Sequence, residues 1–337
     1  MFSTASPYGP RVTTAQPTRT VPEELSGTPL DGAVKALFEL TWGKARKAVE
    51  TGKISVDGAV ETDGLRRVRK GAVLTMNERA PKPRPAEIPE STLVHVDAHV
   101  VVVDKPAGMS TVPYDDTETG TLDEKVRAYL SRVSRGSGNV RPSLGVVHRI
   151  DKETSGLVVF TRTWLAKEAL SSQFRAHTTT RRYFAIVHGE AHTKTIVSHL
   201  VADRGDGVRG SVERRKGGAR GGKPGSEGQR SVTHVEVVER LEGATLVACR
   251  LETGRTHQIR VHLSEDGHPL VGEKVYIRGY RGEEIPAERA MLHAALLGFV
   301  HPKDEVPMVF TRPWPIDFER TLRRLGGKSR FEDVIDA

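Results

Sequence analysis

The sequence predicts a mixed α+β protein in which a small domain precedes a larger one, and three observations lead there. The chain has 337 residues, enough for about two domains of roughly 150 residues each. From Ser91 to about Gly326, runs of Val, Ile and Leu alternate with Gly, Asp and Pro, the texture of strands and turns. These strands are not regularly interleaved with helices, as a doubly wound parallel sheet would require.

Each element has its own signal. Val94–Val96 and Val100–Val103 flank Asp97-Ala98-His99, which predicts a hairpin. Leu157–Phe160, Tyr183–Val187, Val232–Val238 and Thr245–Leu251 read as further strands. Helical spacing covers Ala166–Phe174, and a second short helix is expected over Thr256–Leu263. Residues 1–25, rich in Ser, Thr and Pro, read as a disordered tail, and 26–80 as a compact domain. Residues 81–92, opening on Pro81-Lys-Pro-Arg-Pro85, read as a stiff linker. The larger domain then spans 93–326, leaving 327–337 as a C-terminal tail. Within it, 203–230 is dominated by Gly, Arg and Lys, including Arg209, Arg214 and Arg215, and reads as a basic flexible insertion.

Composition excludes several classes. With 37% hydrophobic and 28% charged residues the chain is globular in character, not disordered. No run approaches the roughly 18 apolar residues of a membrane helix, and the first residues lack the apolar stretch of a secretory signal. Cys249 is the only cysteine, so a cysteine-rich metal site is impossible and a reducing cytoplasm is expected. The net charge of +8 makes a polyanionic partner plausible without requiring one.

Common catalytic signatures fail. Gly221-Gly-Lys223 is followed by Pro, so it is no phosphate-cradling loop. Ser155 lies in Thr-Ser-Gly, not in a nucleophile elbow. His257, His262 and His268 lack metal-site spacing and read as structural; no metal is expected. Asp151 remains: it follows one apolar strand and precedes a Thr-Ser-Gly turn into another, at the rim of a sheet where sites tend to be built.

The residues around Asp151 carry a family resemblance. His148-Arg-Ile-Asp151, with Thr154-Ser-Gly-Leu157 after it, resembles the signature of the RluA family of pseudouridine synthases. Val103-Asp-Lys-Pro-Ala-Gly108 resembles the first family block, and Arg182-Tyr-Phe-Ala185 with Val187-His-Gly189 the central one. Leu251-Glu-Thr-Gly-Arg-Thr-His-Gln-Ile-Arg-Val-His262 and Gly267-His-Pro-Leu270 resemble the third, and Leu292-His-Ala294 the close. One departure is Gly272-Glu273 where the family commonly has Gly-Asp; it is expected to leave the chemistry untouched. Lys44-Ala-Arg-Lys-Ala48, Gly52-Lys-Ile-Ser-Val-Asp-Gly58 and Lys70-Gly71 resemble the small RNA-binding domain of ribosomal small-subunit protein four. There Trp42-Gly43 replaces the usual Ser-Arg.

The resemblance implies a mixed or antiparallel catalytic sheet preceded by a small α/β RNA-binding domain. It also implies an isomerase that needs no cofactor and converts a specific uridine in structured RNA to pseudouridine. Asp151 would be the nucleophile, attacking the anomeric carbon or carbon-6 of the base. Tyr183 would stack on the flipped base and serve proton transfer, and Arg260 would keep Asp151 ionised and aimed through a bidentate contact. Arg149 would fill the gap left by the base. Arg255, His257, Gln258 and Lys105 are expected to bind substrate, and Lys44, Arg46, Lys47 and Lys53 to contact RNA in the small domain. Large-subunit ribosomal RNA is the first expected target and transfer RNA the second, for a cytoplasmic monomer. Two other classes compete: a non-catalytic RNA-binding or ribosome-assembly protein, and a sugar-cleaving hydrolase with Glu153 as its second carboxylate.

Overall fold

Leu30, Ala33 and Val34, then Ala45 and Val49, recur at helical spacing, and their apolar stripes bury against each other and a small sheet. The computed structural model describes residues 16–81, 88–115, 118–133, 143–214 and 228–336, which divide into two compact units, one before and one after residue 85. In the first unit, β1 (Thr18–Thr20), α1 (Leu30–Leu37), α2 (Trp42–Glu50), β2 (Ile54–Val56), β3 (Ala59–Val60) and β4 (Val73–Met76) follow one another. The strands form a four-stranded antiparallel sheet in the order β1-β4-β2-β3. Asp57 and Gly58, at φ of 51° and 85°, make the tight turn between β2 and β3.

The second unit begins with the expected hairpin, β5 (Leu93–Val96) and β6 (Val100–Lys105), whose turn is set by Asp97 accepting from the amides of His99 and Val100. After it come α3 (Leu122–Val133), β7 (Gly145–Val146), β8 (Ser155–Thr161) and α4 (Trp164–Arg175). Thr163 caps α4 through the amide of Ala166, so that helix starts ahead of its apolar stripe. Then follow β9 (Thr180–His188), β10 (Lys194–Val201), β11 (Gly210–Ser211), β12 (Gln229–Leu241), β13 (Ala244–Leu251) and α5 (Gln258–Glu265). The chain closes with β14 (Leu292–Val300), β15 (Pro307–Thr311), α6 (Ile316–Arg324) and α7 (Phe331–Val334). The strands form one large mixed sheet, running from β11 through β10, β12, β13, β9, β14, β8 and β6 to β5. Its described pairings are antiparallel except for β14 with β8.

Both faces of this sheet are covered, so its central strands read as nearly continuous apolar runs. Tyr183, Ala185 and Val187 of β9 face one core with Val247 and Cys249. Phe184 and Ile186 face the other, with Leu246, Trp314 and Phe318.

Several boundaries differ from expectation, each because widely spaced apolar residues find partners far away in sequence. Of the supposed tail, 1–15 lie outside the described residues, but Thr18–Thr20 pair with β4 and Val21 is buried. Of the supposed linker, 82–87 lie outside them, whereas Ile88 is buried in the core of the second unit and Glu90–Thr92 form a helical turn. The supposed C-terminal tail packs Phe331 and Ile335 beside Trp314. In the basic insertion, 215–227 lie outside the described residues, but Val208 is buried and Gly210–Ser211 pair with β10.

The parallel contact of β8 with β14 depends on Gly156, which has φ of 113° and lies so close to β14 that a Cβ would fall 2.2 Å from the Ala294 carbonyl oxygen. We expect Gly156→Ala to cost at least about 3 kcal/mol, from backbone strain and overpacking together. The measurement is urea denaturation, and an unchanged midpoint would contradict it.

Candidate active site

Asp151 sits on the loop between β7 and β8, and that loop is held through its backbone on both sides. The Thr111 hydroxyl donates to the Ile150 carbonyl at 2.8 Å and accepts from the Ile150 amide at 3.3 Å. On the other side, the Lys152 carbonyl accepts from the Gly108 amide at 2.9 Å and from the Lys105 ammonium at 3.0 Å. Arg289 donates to the Glu153 carbonyl, to the Ser155 hydroxyl and to the Asp317 carboxylate. Beneath the loop, His148 accepts from the Val159 amide at 3.0 Å and stacks on Phe174. Burial pushes its pKa down to about 3, so the ring is neutral at neutral pH. Backbone ties of this kind leave the Asp151 side chain free to be aimed.

Lys105 is thereby corrected as a substrate-binding residue. Its side chain is fully buried and its ammonium donates to three carbonyls, those of Pro106, Met109 and Lys152. An ammonium has three donors, and all are occupied. Burial, above all, lowers its pKa to about 7.

The expected bidentate contact also has a different partner. Arg260, on α5, donates from Nε and Nη2 to the two oxygens of Glu273 at 2.8 and 2.7 Å. Only Nη1 turns to Asp151, at 3.7 Å, beyond a direct hydrogen bond. Glu273 also accepts from the amides of Lys274 and Val275, at 3.0 and 2.9 Å. Burial, the largest single influence, would raise the Glu273 carboxyl, but Arg260 and the backbone amides of Val275 and Tyr276 together hold it below the usual range. The Gly272-Glu273 departure, read from sequence as remote from the chemistry, therefore holds the cation that faces Asp151.

His257 completes this side. Its φ of 57° puts a non-glycine residue in the left-handed region at the start of α5. The ring then lies between Asp151, 3.9 Å from Nε2, and the Tyr276 hydroxyl, 2.6 Å from Nδ1. Burial, opposed by the charge of Asp151, lowers its pKa. Tyr276 in turn lies under Arg260, with the guanidinium carbon 5.1 Å from its ring centre.

These groups open onto a cavity of about 680 Å³ whose walls include Arg149, Asp151, Arg181, Tyr183, Arg255 and His257. Tyr183 is buried, and burial raises its phenol, so it is protonated at neutral pH. Arg149 and Arg255 are exposed at the rim. Gln258 reaches the wall, but its amide is engaged elsewhere: it accepts from Thr253 and Arg255 and donates to Val232 and Thr233. It shapes the turn before α5 and has no donor left for a substrate. His262 and His268 are likewise engaged, by Ser198 and Thr233 and by the His188 carbonyl. Arg181 is absent from the motifs read in the sequence, although strand alternation from Tyr183 points to it.

In the first unit, Lys44 and Lys47 are exposed on α2, and Arg46 faces Asp31 at 3.6 Å. The Lys53 ammonium donates to the Ala80 carbonyl, so it is the least available of the four basic residues.

Residues 99–265 match the RNA pseudouridylate synthase family. Ribosomal large subunit pseudouridine synthase D of Zymomonas mobilis is 36% identical over 320 residues, 91% of this chain and 96% of that protein. The protein of the same name from Pseudomonas aeruginosa is 36% identical over 314 residues, 88% of this chain and 92% of that one. The solved structure of human RNA pseudouridylate synthase domain containing 4 superposes with a TM-score of 0.52 at 21% identity, covering 72% of this chain and 95% of that chain. It shares the fold.

Glu273→Gln removes one partner of a buried ion pair and should cost about 3–5 kcal/mol. Because the folded carboxyl titrates below its ordinary value of 4.5, its contribution is complete above that pH and is lost as the pH falls through the folded value. In urea melts taken from pH 7 down to pH 3, the difference between wild type and Glu273→Gln should shrink. A difference that stayed constant with pH would contradict this account of the pair.

Proposed function

Because the chain belongs to the RNA pseudouridylate synthase family, we propose that it isomerises a uridine of large-subunit ribosomal RNA with Asp151 as nucleophile. One observation carries the proposal: a carboxylate on a loop tied down through its backbone faces a cavity with Tyr183 opposite and a braced cation beside it.

The reaction breaks the bond from the anomeric carbon to nitrogen-1 and forms one from the same carbon to carbon-5. Carbon-5 loses a proton and nitrogen-1 gains one, with no redox change. Asp151 holds one reacting fragment through a carboxylate oxygen, whether it attacks the anomeric carbon or carbon-6, and leaves when the new bond forms. Arg260 at 3.7 Å sets a positive charge beside the carboxylate without tying up either oxygen. Tyr183, protonated at rest, stacks on the base, gives its proton to the detached base and, as phenolate, takes up the proton that carbon-5 releases. Arg149 is exposed beside Asp151 and has no ion-pair partner among the described residues, which suits it to the space vacated by the flipped base. The lone cysteine, a buried thiol, is in keeping with the cytoplasm.

Support for a ribosomal target comes from the names of the two bacterial relatives and from a separate small unit with exposed Lys44 and Lys47. A site-resolved pseudouridine map of ribosomal and transfer RNA, from cells with and without the protein, tests it. Loss of no ribosomal pseudouridine would count against the target.

Asp151→Asn should bind RNA with wild-type affinity and form no pseudouridine in single turnover. Turnover near the wild-type rate, in protein checked for deamidation, would remove Asp151 from the mechanism. Deleting residues 1–85 should weaken RNA binding and flatten its log–log salt dependence by roughly 0.7 to 0.9 for each phosphate the small unit neutralises. An unchanged slope would mean that the small unit touches no phosphate.

A further inference from the structure

Three arginines are buried among the described residues, and two of them have carboxylate partners. Arg260 pairs with Glu273 and Arg289 with Asp317. Arg181 pairs with none. It projects from β9 two residues before Tyr183, on the same face, and is only 7% exposed. Its Nη2 donates to the Glu252 carbonyl at 3.2 Å, its Nε is buried without a partner, and its guanidinium carbon lies 5.7 Å from the centre of the Phe174 ring. The backbone makes room for it: a Cβ on Gly254 would fall 2.6 Å from Nη1.

A buried guanidinium with one carbonyl and an aromatic ring for company carries an uncompensated desolvation cost. The fold uses one of its donors, on the Glu252 carbonyl, and supplies no anion to its charge. The compensation therefore comes from outside, and it has to enter the cavity. Arg149, Arg175, Arg181 and Arg255 line that cavity against the single carboxylate of Asp151. The base of uridine is neutral and its ribose is neutral. The anion that an RNA substrate brings is the phosphodiester on either side of the target nucleotide.

We propose that Arg181 anchors a phosphodiester flanking the target uridine and so seats the flipped nucleotide in the cavity. The inference rests on the pseudouridine synthase reading of the site. Arg181 is a positioning residue: it holds the substrate and leaves the reacting atoms to Asp151 and Tyr183. A charge-assisted contact to phosphate also explains why the guanidinium is held by one backbone carbonyl only, which fixes its place without neutralising it.

The test is a double cycle on a short RNA carrying the target uridine. Each flanking phosphate is replaced in turn by a neutral methylphosphonate, with the adjacent 2′-hydroxyl removed, against phosphodiester controls that lack the same hydroxyl. Single-turnover rates are measured across RNA concentration for wild type, Arg181→Met and Gly254→Ala. With wild type, one of the two neutral phosphates should raise the half-saturating RNA concentration roughly tenfold, with a smaller effect on the saturated rate. Arg181→Met should show that loss with the unmodified RNA and little further loss with the neutral one. Gly254→Ala, which displaces the guanidinium and keeps its charge, should behave as a weaker version of Arg181→Met. The substrate arms use wild-type protein, so they stand even if a variant is unstable: neither neutral phosphate weakening wild type would overturn the assignment. Losses that simply add in Arg181→Met would overturn it too. A wild-type protein that forms no pseudouridine in this RNA or in ribosomal RNA would sink the reading of the site along with it.

Discussion

A buried guanidinium standing between two carboxylates is the interaction on which the rest of the site depends. Left with Asp151 alone, Arg260 would close to a bidentate pair, and both oxygens of the proposed nucleophile would be hydrogen-bonded and dulled. Glu273 prevents that by taking Nε and Nη2 itself, so that Nη1 stands 3.7 Å from Asp151. At that distance the positive charge still faces the carboxylate while a lone pair stays open. Arg260 itself, helped by the backbone amides after Glu273, holds that carboxyl below its usual range although it is buried, and the pair keeps Arg260 in place.

This arrangement requires that α5 and the Asp151 loop keep their spacing, and the sheet supplies the rigidity. Asp151 enters from the start of β8, Tyr183 from β9, and β14 lies between those two strands. The close approach at Gly156 and the hydrogen bond from Ser155 to His293, 2.9 Å long, fix β8 to β14 just beyond Asp151. Arg289 ties the same stretch to Asp317 on α6, so the C-terminal helices brace the site from the opposite face. Core packing and site geometry are therefore one problem in this fold.

Much of this is legible in the sequence, and what is not has physical reasons. The central strands β8, β13 and β14 announce themselves because both faces are buried and their apolar runs are nearly unbroken. Asp151 stands out by its place just before one such strand, β8, whereas the apolar strand expected ahead of it is only the two-residue β7. Lys105 and Gln258 mislead because a motif says that a polar side chain matters and not which way it points; both turn inward to hold backbone. Glu273 looks incidental because its partner Arg260 is thirteen positions away and the pairing exists only once α5 has packed. The short β1, the turn before β5 and the closing helix read as tails or linker because each offers only one or two apolar anchors, Val21, Ile88, Phe331 and Ile335, whose partners lie far off in sequence.

The Asp151 loop is also a ridge. A second cavity, of about 750 Å³, lies against it and shares Arg149, Asp151 and His257 with the first. Its walls include Tyr276 and Arg209, and Arg209 belongs to the described start of the basic segment that reads from sequence as a flexible insertion. That segment thus begins at the site and not at a remote surface. On the proposed chemistry, a strand of RNA that places one nucleotide in the first cavity has to cross the ridge at Arg149 to continue. A side chain on a ridge crest, exposed and without an ion pair among the described residues, meets the strand where the flipped base has left it. Base extrusion and the two-cavity shape then have a common cause: a single backbone-tied loop whose carboxylate and arginine line both cavities.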